Sequence, residues 1–380
     1  LTENNAASAE DVLIVRLDSM GDMLMTGPAV RAVSHGARSI TMLCGPRGRQ
    51  AAELLPGVDR LLVWDCPWIA NPAPQPTREK VDELLDLLEP VPARAVILTS
   101  FHQSSLPTAL LLRLAGVRHI TAISEDYPGT LLDVRLRPGL DVPALAPEPE
   151  RNLAVARAAG FELPDGDDGR LAVRLPARPE PQRVRHARRG YIVVHPGADA
   201  PARTWPASHY AKCVQLLADA GHEVVVTGGP DEIVLCSQVA GSGGRNLAGT
   251  TDVAGLGQLI ADAALLITGN TGPAHLGAAL QTPVVCLFSP VTAAESWAPY
   301  GVPLELLGDQ SAPCAMSRAR ECPVPGHPCL SSVTPEEVVD AVYRLSASTG
   351  RQLAVSTAHK TAHSTAHATV VSADKTGAPA

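Results

Sequence analysis

Asp11-Val12-Leu13-Ile14-Val15-Arg16-Leu17 runs straight into Asp18-Ser19-Met20-Gly21-Asp22-Met23, and the fold turns on this stretch. The first seven residues are a mostly apolar run rich in β-branched side chains, which reads as a strand buried on both faces. The next five form a glycine-bearing turn, and a helix is expected from Met23 to Ser34. A buried strand that feeds a helix through a short turn is the opening of a βαβ unit. Such a turn lies at the carboxyl edge of a parallel sheet, where open α/β sheets bind ligands.

The pattern continues outward. Further short strands are expected at Ser39–Cys44, Leu61–Trp64, Ala95–Thr99 and His119–Ile123, with helices between them. From Leu136 to Arg189 the chain is rich in Pro, Asp and Arg, with one helical piece at Asn152–Ala159, and reads as an interdomain connection with irregular elements. Strand and helix then alternate again. Strands are expected at Tyr191–His195, Glu223–Thr227, Leu265–Thr268 and Val284–Phe288. A helix over Pro206–Ala220 has Pro206 suited to its first turn, and a last helix at Thr334–Leu345 is capped by Thr334 with Glu337 three residues on. The reading is an α/β protein of two Rossmann-like domains facing a central cleft. Its expected parts are a disordered N-terminus (1–10), a first domain (11–175), a linker (176–190), a second domain (191–348) and a disordered Thr/Ala/His-rich tail (349–380). The tail repeats Thr-Ala-His, and its His359, His363 and His367 read as a solvated segment rather than a metal site.

Composition narrows the function. The 380 residues carry a net charge of −8, which argues against a nucleic-acid partner needing a basic face. No apolar run is long enough to span a membrane, and Leu1–Glu10 lacks a signal-peptide core, so a cytoplasmic location is the expectation; the chain is expected to act as a monomer. The eight cysteines read as thiols. Gly and Pro are abundant, at 31 and 34, while aromatic residues make up only 3%. Gly21, Gly197, Gly228, Gly229 and Gly272 fall at expected strand-to-helix turns, where backbone comes close to a ligand.

Five motifs carry candidate chemistry. In the first turn, Asp18, Ser19, Gly21 and Asp22 offer carboxylates that serve as a general base or as helix caps. The second is His195-Pro196-Gly197-Ala198 with Arg203-Thr204-Trp205-Pro206, where Arg203 precedes a helix and suits a phosphate. In the third, Thr227-Gly228-Gly229-Pro230-Asp231-Glu232, Glu232 is a ribose acceptor or a helix-start acid. The fourth, Gly269-Asn270-Thr271-Gly272-Pro273-Ala274-His275, opens a helix with small residues. The Thr271 and Gly272 N–H groups are expected to point at a pyrophosphate beside His275. The fifth, Cys314, Cys322, His327 and Cys329, has spacings unlike the usual zinc pairs. It reads as thiols in a packed loop, with a metal site as the alternative. Asp165-Gly166-Asp167-Asp168 reads as a turn.

In this order and spacing, the segment Val12–Ala29 and the H-P-G-A, R-T-W-P, G-G-P-D-E and G-N-T-G-P-A-H-L motifs resemble the ADP-heptose heptosyltransferases, glycosyltransferase family 9. The similarity runs over roughly residues 11–345. The resemblance implies a GT-B fold and an inverting, metal-independent transfer from an ADP-sugar, with no cofactor. By motif position it implies Asp22 as general base. It assigns Arg203, Glu232, Asn270, Thr271, Gly272 and His275 to the donor, and the Asp18–Gly21 loop to the acceptor side. Two positions depart from the family pattern: Arg203 stands where Lys is usual, and Asn270 where many members have Asp. The implied acceptor is a glycan, glycolipid or natural product, and a lipid acceptor implies transient contact with the inner membrane face. A non-hydrolysing nucleotide-sugar epimerase and a non-catalytic nucleotide-sugar-binding protein are the rival readings. Product analysis separates the first, and ADP release with an acceptor the second.

Overall fold

The computed structural model describes residues 10–70, 72–177 and 190–354. The expectations for residues 1–9, for most of the linker and for the tail with His359, His363 and His367 lie outside the described residues. In the first half the order is β1 (Asp11–Arg16), α1 (Met20–Leu24), α2 (Gly27–Gly36), β2 (Ser39–Cys44), α3 (Arg49–Ala52) and β3 (Arg60–Val63), then α4 (Arg78–Leu87), β4 (Arg94–Ile97), α5 (Leu106–Ala115), β5 (His119–Ile123), β6 (Val134–Leu136) and α6 (Glu148–Ala158). The second half runs β7 (Ile192–His195), α7 (Ala207–Asp219), β8 (Val224–Val226), α8 (Ile233–Ala240), β9 (Arg245–Asn246), α9 (Val253–Asp262) and β10 (Leu265–Gly269). It ends with α10 (Gly272–Ala279), β11 (Val284–Leu287), α11 (Ala294–Trp297), β12 (Leu304–Leu307), α12 (Pro328–Ser331) and α13 (Pro335–Thr349).

Each half holds one six-stranded parallel sheet, in the orders β3-β2-β1-β4-β5-β6 and β12-β11-β10-β7-β8-β9. Counted from its own first strand, each sheet has the same order. Each therefore reverses direction once, between β1 and β4 and between β7 and β10. At such a reversal the loops after two adjacent strands diverge to opposite faces and leave a crevice. The central strands β1, β7, β10 and β11 are buried almost throughout, as their Val, Ile and Leu content requires.

Several elements depart from expectation for local reasons. The helix expected from Met23 is two helices. The Thr26 hydroxyl donates to the Met23 carbonyl at 2.7 Å, and Pro28 at the start of α2 has no N–H to carry the first helix onward. Pro206 is the cap residue of α7 with extended backbone, not a member of its first turn. The Pro-rich connection is more ordered than its composition suggests. Its helix begins at Glu148, α6 packs on α2, and Arg31 forks onto Asp167 at 2.6 and 2.8 Å. Asp167 and Asp168 accept from the backbone N–H groups of Gly169 and Arg170, as in a turn.

Candidate functional site

The two crevices face each other. A cavity of about 630 Å³ lies between the sheets, and the turns after β1, β4, β7 and β10 all contribute to its wall. Asp18, Ser19, Gly21 and Asp22 line it from the first half, and Arg203, Asn270, Thr271, Gly272 and His275 line it from the second. The helices α1 and α10 meet end to end at the floor, and glycine is required there at position 21. A Cβ on Gly21 would lie 2.9 Å from the His275 ring and 3.3 Å from the Gly272 Cα, and one on Gly272 would collide with the Met20 methyl.

Arg16, the last residue of β1, is fully buried and organises the carboxylates. Its Nε lies 2.7 Å from the Asp18 carboxylate, an ion pair too bent to be a hydrogen bond. Its Nη2 donates to Asp22 at 3.1 Å and to the Ser100 hydroxyl at 2.8 Å. The Asp22 carboxylate also accepts from the Ser19 hydroxyl at 2.7 Å and the Ser19 N–H at 3.3 Å. Asp22 thus closes the capping box of α1 and also lines the cavity. Burial works to raise the Asp22 carboxyl, but Arg16, the Ser19 hydrogen bonds and His275 outweigh it and hold it below the usual carboxylate range. For Asp18 burial prevails over Arg16, the Asp22 charge adds to it, and the group is raised. Two neighbouring carboxylates with opposite shifts are suited to different protonation tasks.

The opposite wall is built differently. Thr271 caps α10, yet its hydroxyl makes no cap bond. Its N–H is committed to the Gly269 carbonyl at 2.9 Å, which corrects the expectation that both Thr271 and Gly272 N–H groups would face an anion. The Gly272 N–H remains at the positive end of the helix. His275 is 5% exposed, and its Nδ1 has no partner among the described residues. Burial first, then Arg203, pushes the imidazole down to about 4 against the pull of Asp22, so it is neutral at pH 7. Arg203 keeps a buried Nε without a partner. Burial works against its charge, while Asp22 and Asp199 favour it. Asn270 is tied to the next loop: its amide donates to the Ser289 carbonyl and the Thr292 hydroxyl, and its oxygen accepts from the Ser289 N–H, each at 3.4 Å.

Two sequence candidates lie off the wall. Glu232 accepts from the Gly229 N–H at 2.7 Å, stands 3.8 Å from His195 Nε2, and covers Gly197, where any Cβ would collide with it. The Cys/His group does not form a ligand cage. Cys314 and Cys329 are buried in the second core, Cys322 donates to the Val324 carbonyl, and the His327 ring pairs with the Ala202 carbonyl at 3.1 Å. Among the described residues no three His, Cys, Asp or Glu side chains are placed to hold a metal ion.

Sequence reasoning missed other wall residues. His102 and Gln103 come from the loop after β4, and Gln103 donates to Asp18. Arg318 stacks 5.3 Å above the Phe101 ring, so the second half reaches onto the first, and Arg47 pairs across the cleft with Asp199 at 2.8 Å. No motif in the sequence marks His102 and Gln103, which reach the cavity because β4 lies beside β1 at the reversal of strand order. Arg318 and Arg320 lie in the Cys-rich segment, whose thiols drew attention to metals instead.

Residues 97–327 match glycosyltransferase family 9 (heptosyltransferase). A lipooligosaccharide heptosyltransferase 2 of Campylobacter jejuni is 30% identical over 163 residues, which is 40% of this chain and 50% of that protein. The match therefore spans about half the length of that curated relative. A glycosyltransferase family 9 structure from Veillonella parvula superimposes with a TM-score of 0.72 at 18% identity, covering 88% of this chain and 97% of that one. The ADP-heptose lipopolysaccharide heptosyltransferase II of E. coli gives 0.66 at 23% identity, covering 88% and 98%. At these identities the two structures speak to the fold, which is GT-B.

Proposed function

Since the chain belongs to glycosyltransferase family 9 (heptosyltransferase), we propose that it transfers a heptose from an ADP-sugar to an acceptor hydroxyl, with inversion and with Asp22 as general base. The observation that carries this reading is the placement of Asp22 and Arg203 on opposite walls of one cavity.

The acceptor oxygen attacks the anomeric carbon from the face away from the diphosphate. A sugar hydroxyl is too weak an acid to ionise first, so Asp22 takes its proton as the C–O bond forms. The bond from the anomeric carbon to the phosphate oxygen breaks, and its electron pair leaves with ADP. Arg203, the Gly272 N–H, the Thr271 hydroxyl and a neutral His275 donor meet the charge that develops there. Their alignment at a helix start makes that stabilisation independent of any reorganisation during the step. Glu232 is the proposed ribose acceptor, reached once the nucleotide base enters over Gly197. Asn270 faces the donor sugar, and Asp18, Ser19 and Gly21 face the acceptor.

The relatives' names point to a lipooligosaccharide-type saccharide as acceptor. A lipid-linked acceptor would place the reaction at the inner membrane face. Among the described residues no helix is long and apolar enough to cross a membrane.

The test is ADP release and product mass with ADP-heptose and a panel of saccharide acceptors, for the wild type and for Asp22→Asn. Turnover should fall ~100-fold or more in the variant while ADP-heptose affinity by calorimetry is retained. Near-wild-type turnover would sink the base assignment. Conversion of the nucleotide sugar without an acceptor would replace the transferase reading with the epimerase one.

A further inference from the structure

Behind Asp22 lies a second layer of charge that the proposed reaction does not use. Glu148, the first residue of α6, is fully buried, and its carboxylate accepts from Arg16 Nη1 at 3.4 Å. Its other oxygen stands 3.3 Å from Arg151 Nε, and Arg151 is 2% exposed. Asn152 on the same helix turn adds an amide oxygen 3.5 Å from Arg16 Nη1 and ties its own amide to the Met25 carbonyl. One guanidinium thus joins three carboxylates: Asp18 and Asp22 at the cavity and Glu148 away from it.

Burying two more ions behind a catalytic turn costs several kcal/mol per ion before their attraction is counted. Well-packed apolar residues would hold α6 against the sheet as well or better. The charge balance of the cluster suggests what the ions do. Arg16 and Arg151 face Asp18, Asp22 and Glu148, so the ionised cluster has formally one negative charge in excess. A single proton delivered to Asp22 brings it to neutrality. Without Glu148 the cluster would be neutral beforehand, and the same proton would leave a buried positive charge.

We propose that Glu148 is a positioning residue for the base. By sharing Arg16 with Asp22 it limits how much of that guanidinium's charge Asp22 feels, and so keeps Asp22 able to accept a proton. This rests on Asp22 being the base. The charged and titratable groups facing Asp22 are Arg16, Asp18, Glu148, His102, Arg203 and His275. Glu148 touches Asp22 only through Arg16, and the two carboxylates also repel each other directly.

The experiment pairs Glu148→Gln with Glu148→Asp and places Glu148→Gln also in an Arg16→Gln background. In the single variant, turnover at neutral pH should fall ~10-fold while ADP-heptose affinity holds, and Glu148→Asp should recover part of the loss. Arg16→Gln removes the cation that keeps Asp22 charged, so the acid limb of the rate profile should move up toward neutral pH. Adding Glu148→Gln to it should bring that limb back down by ~1 pH unit, because one carboxylate charge is gone. The double variant also removes the carboxylate that Arg16→Gln leaves unpaired, so it should fold at least as well as that single variant. Coincident limbs, or a loss of turnover matched by loss of donor affinity and not relieved by Glu148→Asp, would overturn the inference. If Asp22→Asn is inactive and the Glu148 variants change nothing, this inference alone fails. If Asp22→Asn is active, both readings fall together.

Discussion

After β1 the chain places Arg16, Asp18 and Asp22 in one ion cluster. After β10, which like β1 borders the reversal of strand order in its own sheet, it places Asn270, Thr271, Gly272 and a neutral His275. The local structure is the same on both sides: a buried strand, a glycine turn and the first turn of a helix. The chemistry is opposite. A diphosphate brought to the first turn would meet two carboxylates, whereas the second turn offers a helix dipole, the Gly272 N–H and nearby Arg203. Topology therefore supplies the position, and the residues within six places of the strand end decide which reactant each side can hold. In the proposed reaction the negative turn takes a proton and the polar turn takes an anion.

The largest effect expected to separate the two turns is on stability against pH. The His275 imidazole sits at about 4 in the folded protein against an ordinary 6.5, because burial penalises its charge. Between those values the unfolded chain binds more protons than the folded one. The stability contributed by a neutral His275 is therefore complete above about pH 6.5 and is lost as pH falls toward 4, by at most about 3 kcal/mol. Urea unfolding at pH 7 and pH 4.5 should show a smaller acid loss for His275→Gln than for the wild type. Parallel losses would mean that this turn is not held neutral.

A smaller effect comes from the contact between the two turns. In Gly21→Ala the new methyl meets the His275 ring at 2.9 Å and the Gly272 backbone at 3.3 Å, and neither can swing away cheaply. In Gly272→Ala it meets chiefly the end of Met20, a flexible side chain. Overpacking of the first kind costs about 1–3 kcal/mol. Gly21→Ala should lower turnover about 10-fold, whereas Gly272→Ala should stay within about 3-fold of wild type and recover further when Met20→Ala is added. Equal losses would show that the helix ends yield alike and that the asymmetry between the turns is only electrostatic.

Much of this arrangement was legible in the sequence, because the central strands are continuous runs of Val, Ile and Leu and each ends in a turn of small residues. The elements that went unread were those lacking that contrast. Val134–Leu136, Arg245–Asn246 and Leu304–Leu307 are edge strands with mixed exposure, each too short or broken by a charged residue to show a continuous apolar run. The α6 segment hid in a Pro-rich stretch, so Glu148 and Arg151 could not be connected to Arg16 across 130 residues. His102, Gln103, Arg318 and Arg320 reach the cavity from loops with no glycine motif. Only the strand order, which a single sequence does not print, brings them to the same place as Asp22. Glu232 shows the converse: its motif was readable, but the carboxylate is folded back over Gly197 rather than standing on the cavity wall.

The smallest expected effect concerns Asn270, one of the two positions where the chain departs from the resembling family. Its amide is used in both senses, accepting from the Ser289 N–H and donating to the Ser289 carbonyl and the Thr292 hydroxyl. A carboxylate could keep the first bond but would present an oxygen to the Ser289 carbonyl in place of a donor. At 5% exposure that oxygen would have little water to turn to. Asn270→Asp should therefore cost about 1 kcal/mol, seen as a fall of a few degrees in Tm. It should also leave turnover no higher than wild type, because the new charge faces the same cavity as Asp18 and Asp22 and discourages a diphosphate. A stable and faster Asn270→Asp enzyme would show that the second turn tolerates negative charge, and the division of labour between the two turns would then rest on Arg203 rather than on the turn itself.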